Sequence, residues 1–319
     1  MKYTQLDFKK IKTWSIKDRK NLVRIDNLMN PGRENIEKIE NKEFSILIDK
    51  IIAARKIGAP VILSMGAHVI KSGLSRYLIK MMEENIITHI SSNGAGSIHD
   101  FELAFIGGTS ENVPTAIEDG SFGMWEETGK WMNEAINQGA KLGMGYGESL
   151  AIFVEQNPEM FPYKNDCVFY QAYKNNIPTT YHIALGTDII HQHPTCKMGS
   201  IGVTSGIDFK RMCGAVSKLD KGVFLNFGSA VIGPEVFLKA LSISRNLGYQ
   251  VYNITTANFD LIQLGDYKRK LTYDDYQYYY RPRKNIVNRP VSKGGTGYHF
   301  SLDHKISIPN IYNEVMKRR

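Results

Sequence analysis

Between Gly186 and Cys196 the chain reads Gly-Thr-Asp-Ile-Ile-His-Gln-His-Pro-Thr-Cys, with His182 just upstream. Asp188, His191, His193 and Cys196 are all of types that bind metals, and a His-x-His pair on a strand aims both imidazoles to one face. The spacing is not that of a structural zinc site. The same histidines suit proton transfer, because an imidazole titrates near neutrality, or they are structural groups with satisfied hydrogen bonds. A second chemistry-bearing stretch is Tyr278-Tyr279-Tyr280-Arg281-Pro282-Arg283-Lys284, continuing through Arg289 and Lys293 to a Gly294-Gly295-Thr296-Gly297 turn and Tyr298-His299. Three cations in four residues beside three tyrosines could clamp an acidic or phosphorylated substrate. The alternative is a solvated basic loop in a lysine-rich protein.

Four short segments of small residues must position these groups. Apolar residues Phe44, Leu47, Ile48, Ile51 and Ile52 fall at helical spacing, stopped by Gly58 and Pro60. Pro60–Met65 reads as a buried strand opening into Gly66-Ala67-His68, and Ile70, Leu74, Leu78 and Met81 predict one amphipathic helix after it. Ile86–Ile90 is the next strand, followed by a loop from Ser91 to Ser97. The rhythm recurs later: a helix over Ile207–Leu219, a strand over Gly222–Phe227, a turn at Gly228-Ser229-Ala230, and a helix over Pro234–Leu247 closed by Gly248. A strand over Tyr249–Ile254 then ends in Thr255-Thr256-Ala257-Asn258. This alternation predicts an α/β fold, a doubly wound parallel sheet covered by helices on both faces.

Ligands of such sheets sit outside the carboxyl ends of the strands, where helix N-termini and free backbone N–H groups point at them. Four small-residue loops at those ends favour a nucleotide, although small residues also simply permit tight turns. No loop carries either standard phosphate-binding fingerprint. Residues 1–42 mix charges without periodicity and read as an N-terminal arm, packing on a neighbouring subunit. Residues 43–319 read as a single nucleotide-binding domain with a helical insertion over about 109–176, including helical pieces near 126–138 and 148–155.

Composition bounds the function. With 319 residues, 42 % hydrophobic and 23 % charged, the chain can bury a large core and is not disordered. Its 3 cysteines contain no CxxC pair and fit a reducing compartment, so the cytoplasm is expected. No apolar run approaches the roughly 20 residues of a membrane helix, and Met1–Lys20 is polar throughout. Lys and Arg outnumber Asp and Glu by 40 to 32, yet no basic-aromatic motif accompanies the excess, so neither nucleic acid nor membrane is an expected partner.

Taken in order over about Pro60–Val315, these pieces resemble the deoxyhypusine synthase family, NAD-dependent enzymes that move the aminobutyl group of spermidine onto an amine. Gly66-Ala67-His68 stands at the family's first small-residue loop and Ala95-Gly96-Ser97-Ile98-His99-Asp100 at its alanine-glycine loop with following acid. Ile177-Pro178 and Asp188 to His193 match an Ile-Pro, aspartate and histidine pattern, with residues missing before Asp188 where the family keeps a further cofactor-binding aspartate. Phe224–Ile232 resembles a glycine-rich strand and turn, Thr255-Thr256-Ala257 an Asn-Thr-Ala segment, and Arg281-Pro282, Asp303 and Pro309 the closing segment. The resemblance implies NAD as cofactor, held by His68, Asn93, Gly94, Ala95, Asp100, Gly228, Ser229, Thr256, Ala257 and Asp303. It implies a substrate site of Asp188, Glu235, Arg281, Arg283, Lys284 and Asn288, and a homo-oligomer with sites at subunit interfaces.

The departures alter the expected chemistry. His299 stands where the family has its imine-forming lysine, and imidazole cannot form that imine. Lys293 and Lys305 flank the position. Lys284 replaces an acid, Asn288 a tryptophan, and Pro234 or Glu235 a histidine. Spermidine-to-protein transfer is therefore not expected. The expectation is an NAD-dependent transferase, or amine dehydrogenase, acting on an amine-containing or anionic small molecule, with His299, Asp188, His193 and Lys293 as catalytic candidates. The alternatives are an NAD-binding protein that has lost catalysis and a metal-dependent hydrolase or lyase centred on Asp188, His191 and His193.

Overall fold

The computed structural model describes residues 3–319, so positions 1 and 2 of the expected arm lie outside the described residues. Six parallel strands, β1 (Val61–Met65), β2 (His89–Asn93), β3 (Thr179–His182), β4 (Val223–Phe227), β5 (Thr255–Asp260) and β6 (Thr296–Ser301), lie in the order β3-β2-β1-β4-β5-β6. That is the strand order of doubly wound dinucleotide-binding sheets, with its reversal point between β1 and β4. Helices α1 (Lys42–Lys56), α2 (His68–Lys71), α3 (Ser75–Glu83) and α4 (Gly94–Ile106) accompany the first two strands. Helices α5 (Val113–Asp119), α6 (Glu126–Leu142), α7 (Tyr146–Gln156) and α8 (Val168–Lys174) fill the chain before β3, and α9 (Met198–Val216), α10 (Ile232–Asn246) and α11 (His304–Arg318) follow β3, β4 and β6. No helix among the described residues is long and apolar enough to cross a membrane.

Each face of the sheet buries a different set of side chains. Leu63, Leu225, Ala257 and Tyr298 pack with Phe44, Leu47, Ile48 and Ile51 of α1 and with Ile308, Ile311 and Val315 of α11. Each such fully buried aliphatic or aromatic side chain contributes about 1.5–3 kcal/mol. Ile62 and Phe224 point the other way, against Met212 and Val216 of α9 and Phe237 and Leu241 of α10. A third cluster joins α4, α6, α7 and α8 through Phe101, Ile136, Leu150 and Phe169.

The register carries a feature that apolar patterning hides. Thr180, Ser91, Ser64, Asn226, Asn258 and His299 are successive register partners across all six strands, and all are buried. Unpaired, each would cost about 1–3 kcal/mol. Three of them pair sideways: the Asn226 amide donates to Asn258 Oδ1 (2.7 Å), and the Asn258 amide donates to His299 Nδ1 (3.0 Å). This row explains two departures from the sequence pattern. The fifth strand is Thr255–Asp260 and not Tyr249–Ile254, because its polar residues have partners in the sheet while Val251 accepts from the Arg245 guanidinium and Asp220 caps the N–H groups of Tyr252 and Asn253. Likewise the serines read as a loop belong to β2, and α4 begins at once at Gly94, its N-terminus capped by Asn93 Oδ1 on the Gly96 N–H (3.0 Å). The Gly294–Gly297 turn yields its last two residues to β6.

The single amphipathic helix expected after β1 is two helices, α2 and α3. Gly73 separates them with φ of +81°, and a Cβ there would collide with the Asn27 carbonyl of the arm. The arm runs over its own chain. Trp14 bridges to Trp125, Val23–Arg24 pairs antiparallel with Gly108–Thr109, and Glu127 accepts from Ser15 and from the Ile16 N–H. Its deepest anchor is Arg19, whose guanidinium grips Glu102 of α4 in two parallel bonds of 2.9 and 2.8 Å with both side chains at most 3 % exposed. Thr109 and Thr128 hydroxyls also donate to Glu102 (2.5 and 2.8 Å), so the carboxylate is fully paired. Truncating one partner of a buried pair strands the other charge. Arg19→Met is therefore expected to cost about 3–5 kcal/mol in urea unfolding, with Arg19→Met/Glu102→Leu restoring part of it; an unchanged midpoint in the single variant would contradict the anchor.

Candidate functional site

At the carboxyl edge the reversal point brings β1 and β4 into backbone contact. The Gly66 N–H donates to Phe227 O (2.9 Å), and a Cβ on Gly66 would stand 2.6 Å from the Gly228 carbonyl oxygen. Gly228 has φ of +62° and lies under the His304 ring, 2.6 Å from a Cβ placed on it. His304 opens α11 and its ring lies 6.3 Å from that of the exposed His68. Ser229 Oγ accepts from the Gly233 N–H (2.9 Å), and its carbonyl accepts from the Asn226 amide (3.0 Å). Two buried atoms beside this turn, Asn226 Oδ1 and His304 Nδ1, have no protein partner. Burial lowers the pKa of His304, with His68 adding to it, so the imidazole is neutral.

The second part of the edge is Asp188. Gly94, first residue of α4, leaves the room into which this carboxylate fits, since a Cβ there would collide with it. The space beside Gly94, one of the residues expected to hold the cofactor, thus holds the chain's own anion. The Asp188 side chain is 8 % exposed, and burial pushes its pKa up to about 6. Its neighbour His191 accepts backbone N–H groups of Gly186 and Asp188 at Nδ1 (both 3.1 Å), which fixes the proton on Nε2. That Nε2 faces Asp188 Oδ2 at 3.7 Å, beyond hydrogen-bond range, and has no other partner.

A cavity of about 230 Å³ opens beside Asp188, lined by Ala95, Ile98, His99, Glu111, Lys71 and the arm residue Arg19 among others. His99 Nδ1 and Thr109 Oγ1 lie 2.7 Å apart, and since the Thr109 proton goes to Glu102, His99 donates. Its pKa falls to about 4, chiefly by burial, leaving Nε2 a neutral acceptor. Glu111 accepts from Trp125 Nε1 (2.9 Å) and the Gly123 N–H (3.1 Å), and burial raises its pKa. None of Arg19, Lys71, Glu102, Glu111 or His304 stood out in the sequence; the nearest signal was Glu102, a charge inside the apolar run Phe101–Ile106.

The remaining candidates disperse. The His-x-His pair is not on a strand: His191 lies in a short 3-10 turn, Ile189–Gln192, and His193 directly follows it. His193 turns to Thr195 (2.8 Å) and packs its ring on Gly129 of α6. Among the described residues no three His, Cys, Asp or Glu side chains converge to hold a metal, so the centre imagined at Asp188, His191 and His193 is not assembled. Asp100 faces inward, accepting from the N–H groups of Val168 and Phe169 at the start of α8 (2.9 and 3.0 Å). Thr256 and Ala257 lie mid-strand, Thr256 donating to Ile286 O (2.6 Å), so neither borders the edge. Asp303 caps α11 through the Lys305 N–H (2.7 Å).

His299 has both ring nitrogens engaged, Nδ1 with Asn258 and Nε2 with Ile262 O (2.8 Å). It lies four strand spacings from β2, roughly 19 Å at about 4.8 Å each, too far to share a reacting atom with Asp188. Lys293 precedes β6 at the opposite edge of the sheet, 6.0 Å over the Tyr252 ring. Arg281 and Asn285 bind Glu235 (2.9 and 3.0 Å), which Lys239 also pairs, and Arg283 is buried on the carbonyls of Asp266 and Arg269. Lys284 lies 4.9 Å over the Tyr278 ring and Asn288 donates to Tyr267 O (3.2 Å). The expected basic clamp is largely self-satisfied, part of it in a π-helical turn over Arg283–Asn288.

No family model matches the chain, and no curated protein sequence matches it. Among solved structures it is similar to the arginine dihydrolase ArgZ of the cyanobacterial ornithine-ammonia cycle, at 13 % identity and TM-score 0.50, over 89 % of this chain and 34 % of that one. Unliganded AgrE gives 14 % identity and TM-score 0.50 over the same shares. A deoxyhypusine synthase candidate from Entamoeba histolytica gives 10 % identity and TM-score 0.48, over 87 % of this chain and 90 % of that one. The chain spans about a third of the length of ArgZ and AgrE, and at these identities the likeness is one of fold.

The tight seat of Asp188 is testable without a ligand. Gly94→Ala is expected to destabilise the protein by about 1–3 kcal/mol through overpacking, and Gly94→Ala/Asp188→Ala to recover most of that loss. Additive losses in urea unfolding would show that the two residues do not share one space.

Proposed function

We propose that the protein is an NAD-dependent enzyme acting on the amine of a small molecule, with transfer of the amine-bearing group or its oxidation as the reaction class. The observation that carries this reading is Asp188, an almost fully buried carboxylate lining a cavity at the carboxyl edge of a doubly wound sheet and facing no cation among the described residues, only the neutral His191 ring at 3.7 Å. A buried anion without a partner is costly, and a cationic substrate supplies the missing charge. The α4 N-terminus, which elsewhere attracts anions, already holds one here and so favours a cation in front of it.

The reversal point fits a dinucleotide. Its loops are nearly bare of side chains at Gly66, Ala67, Gly228 and Ser229, which lets a dinucleotide come close to the backbone, and beside them Asn226 Oδ1 and His304 Nδ1 are buried without a protein partner. Those residues and His68 would hold NAD, which when bound accepts a hydride. Asp188 binds the substrate ammonium and orients it, and the Nε2–H of His191 at 3.7 Å is placed to steady the carboxylate once it shifts toward substrate. Cyanobacterial ArgZ, similar in fold, is an arginine dihydrolase, a nitrogen-compound enzyme by a different reaction, and lends the reading no mechanism.

Calorimetric titration with NAD of protein shown by its spectrum to be free of nucleotide is expected to saturate at about one per chain, and a screen of diamines and amino acids to reveal amine-dependent NADH formation. Asp188→Asn is expected to remove turnover while keeping NAD affinity within a few-fold. Amine affinity should rise with pH through about 6, because Asp188 holds its proton below that value, and level off above it. No NAD binding at millimolar concentration would overturn the cofactor, and a flat pH dependence would overturn the role of Asp188.

A further inference from the structure

The cavity beside Asp188 carries charges of both signs, and this deepens the amine reading on which it rests. Arg19 and Glu102 neutralise each other in their buried fork. What remains on the wall is two carboxylates, Asp188 and Glu111, the acceptor nitrogen of His99, and the ammonium of Lys71. Lys71 is the last residue of α2, half-buried, and shows no ion pair among the described residues, unlike the lysines paired at Glu83, Glu155, Glu235 and Glu43. It is also near enough to His99 to lower that group's pKa, alongside Arg19 and against Glu102. A pocket for a simple polyamine has no use for an ammonium on its wall, since like charges in a partly dry site repel.

We infer that the cavity takes an amino carboxylate, whose ammonium is held by Asp188 and His99 Nε2 with Glu111 adding negative charge, and whose carboxylate is held by Lys71. Two independent features point to a ligand and not to a solvated surface. The Asp188 side chain is more than nine-tenths buried, faces no cation among the described residues, and borders the space. His99 is held by a chain of bonds through Thr109 to Glu102 and Arg19 that fixes its tautomer and turns Nε2 into an acceptor. The volume, about 230 Å³, equals seven or eight waters at about 30 Å³ each, the scale of a four- or five-carbon amino acid. The arm closes this pocket: Arg19 lines it, and Glu111 follows the Gly108–Thr109 strand that pairs with the arm. Arg19 and Thr109 are positioning residues, acting through Glu102 and His99.

The inference separates three probes of equal chain length: γ-aminobutyrate, 1,4-diaminobutane and butyrate, titrated calorimetrically at pH 7.5 without NAD. γ-Aminobutyrate is expected to bind and butyrate to bind at least tenfold more weakly. Lys71→Met is expected to weaken γ-aminobutyrate at least tenfold while leaving 1,4-diaminobutane unchanged or tighter, and Lys71→Arg to restore γ-aminobutyrate to within about threefold. His99→Asn, probed the same way, should weaken both amines and leave the discrimination by Lys71 intact. If 1,4-diaminobutane binds, is lost in Asp188→Asn and is indifferent to Lys71→Met, while γ-aminobutyrate also ignores that change, the amine reading stands and the carboxylate inference falls. Absence of binding by both amines overturns both.

Discussion

A carboxylate held out of water at the end of a parallel sheet is the constraint around which this molecule is arranged. Asp188 occupies the room that Gly94 leaves by having no side chain, and it has the dipole of α4 behind it and a cavity in front. Desolvation moves its pKa up to about 6, so near neutrality it is an ionised group whose environment prefers a cation nearby. Everything that defines the cavity follows from fixing α4 in place. The Arg19–Glu102 fork ties the arm to that helix, Thr109 and Thr128 complete the fork, and the same Thr109 orients His99.

The sheet itself solves a different problem. A row of polar residues runs through its interior from Thr180 to His299, and in three strands the row is joined by side-chain hydrogen bonds. Such a network rigidifies the carboxyl half of β4, β5 and β6, and it consumes the imidazole of His299, which donates to Ile262 O and accepts from Asn258. Within the row one buried atom is left without a partner, Asn226 Oδ1 at the reversal point, and His304 Nδ1 of α11 nearby is in the same state. The reversal point is where doubly wound sheets bind nucleotides, and its side-chain-poor loops at Gly66 and Gly228 are the reason NAD is proposed there.

Much of the fold was legible in the chain. The apolar rows of α1, the buried strand β1, the glycine-led turn after β4 and the helix after it follow from periodicity and punctuation alone. The strands whose bounds or presence the pattern missed, β2, β3, β5 and β6, carry Ser91, Thr180, Asn258 and His299, which look like loop residues until their register partners are known, whereas β1 and β4 carry Ser64 and Asn226 of the same row inside apolar runs that read as strands without them. The break between α2 and α3 needed the Asn27 carbonyl, a contact 46 residues away in sequence. Of the site, Asp188, Asn93, Gly94, Ala95, His68, Gly228 and Ser229 do stand at the carboxyl edge. Lys293 does not, because a lysine three residues before a strand lies at its amino end, and His299 is a distance of several strands away. The arm's contribution was invisible, for nothing in an aperiodic charged segment says which helix will bury its arginine.

The titration of Asp188 itself tests the central claim most directly. With carboxyl-labelled aspartate and the signal assigned by its loss in Asp188→Asn, the carbon shift of this carboxyl can be followed from pH 3 to 8. An apparent pKa near 6 in the free protein, falling when 1,4-diaminobutane or γ-aminobutyrate is added at saturation, is the expected result. A value near the ordinary carboxylate range of about 3.9, unmoved by either amine, would mean that Asp188 is solvated and bears no substrate charge.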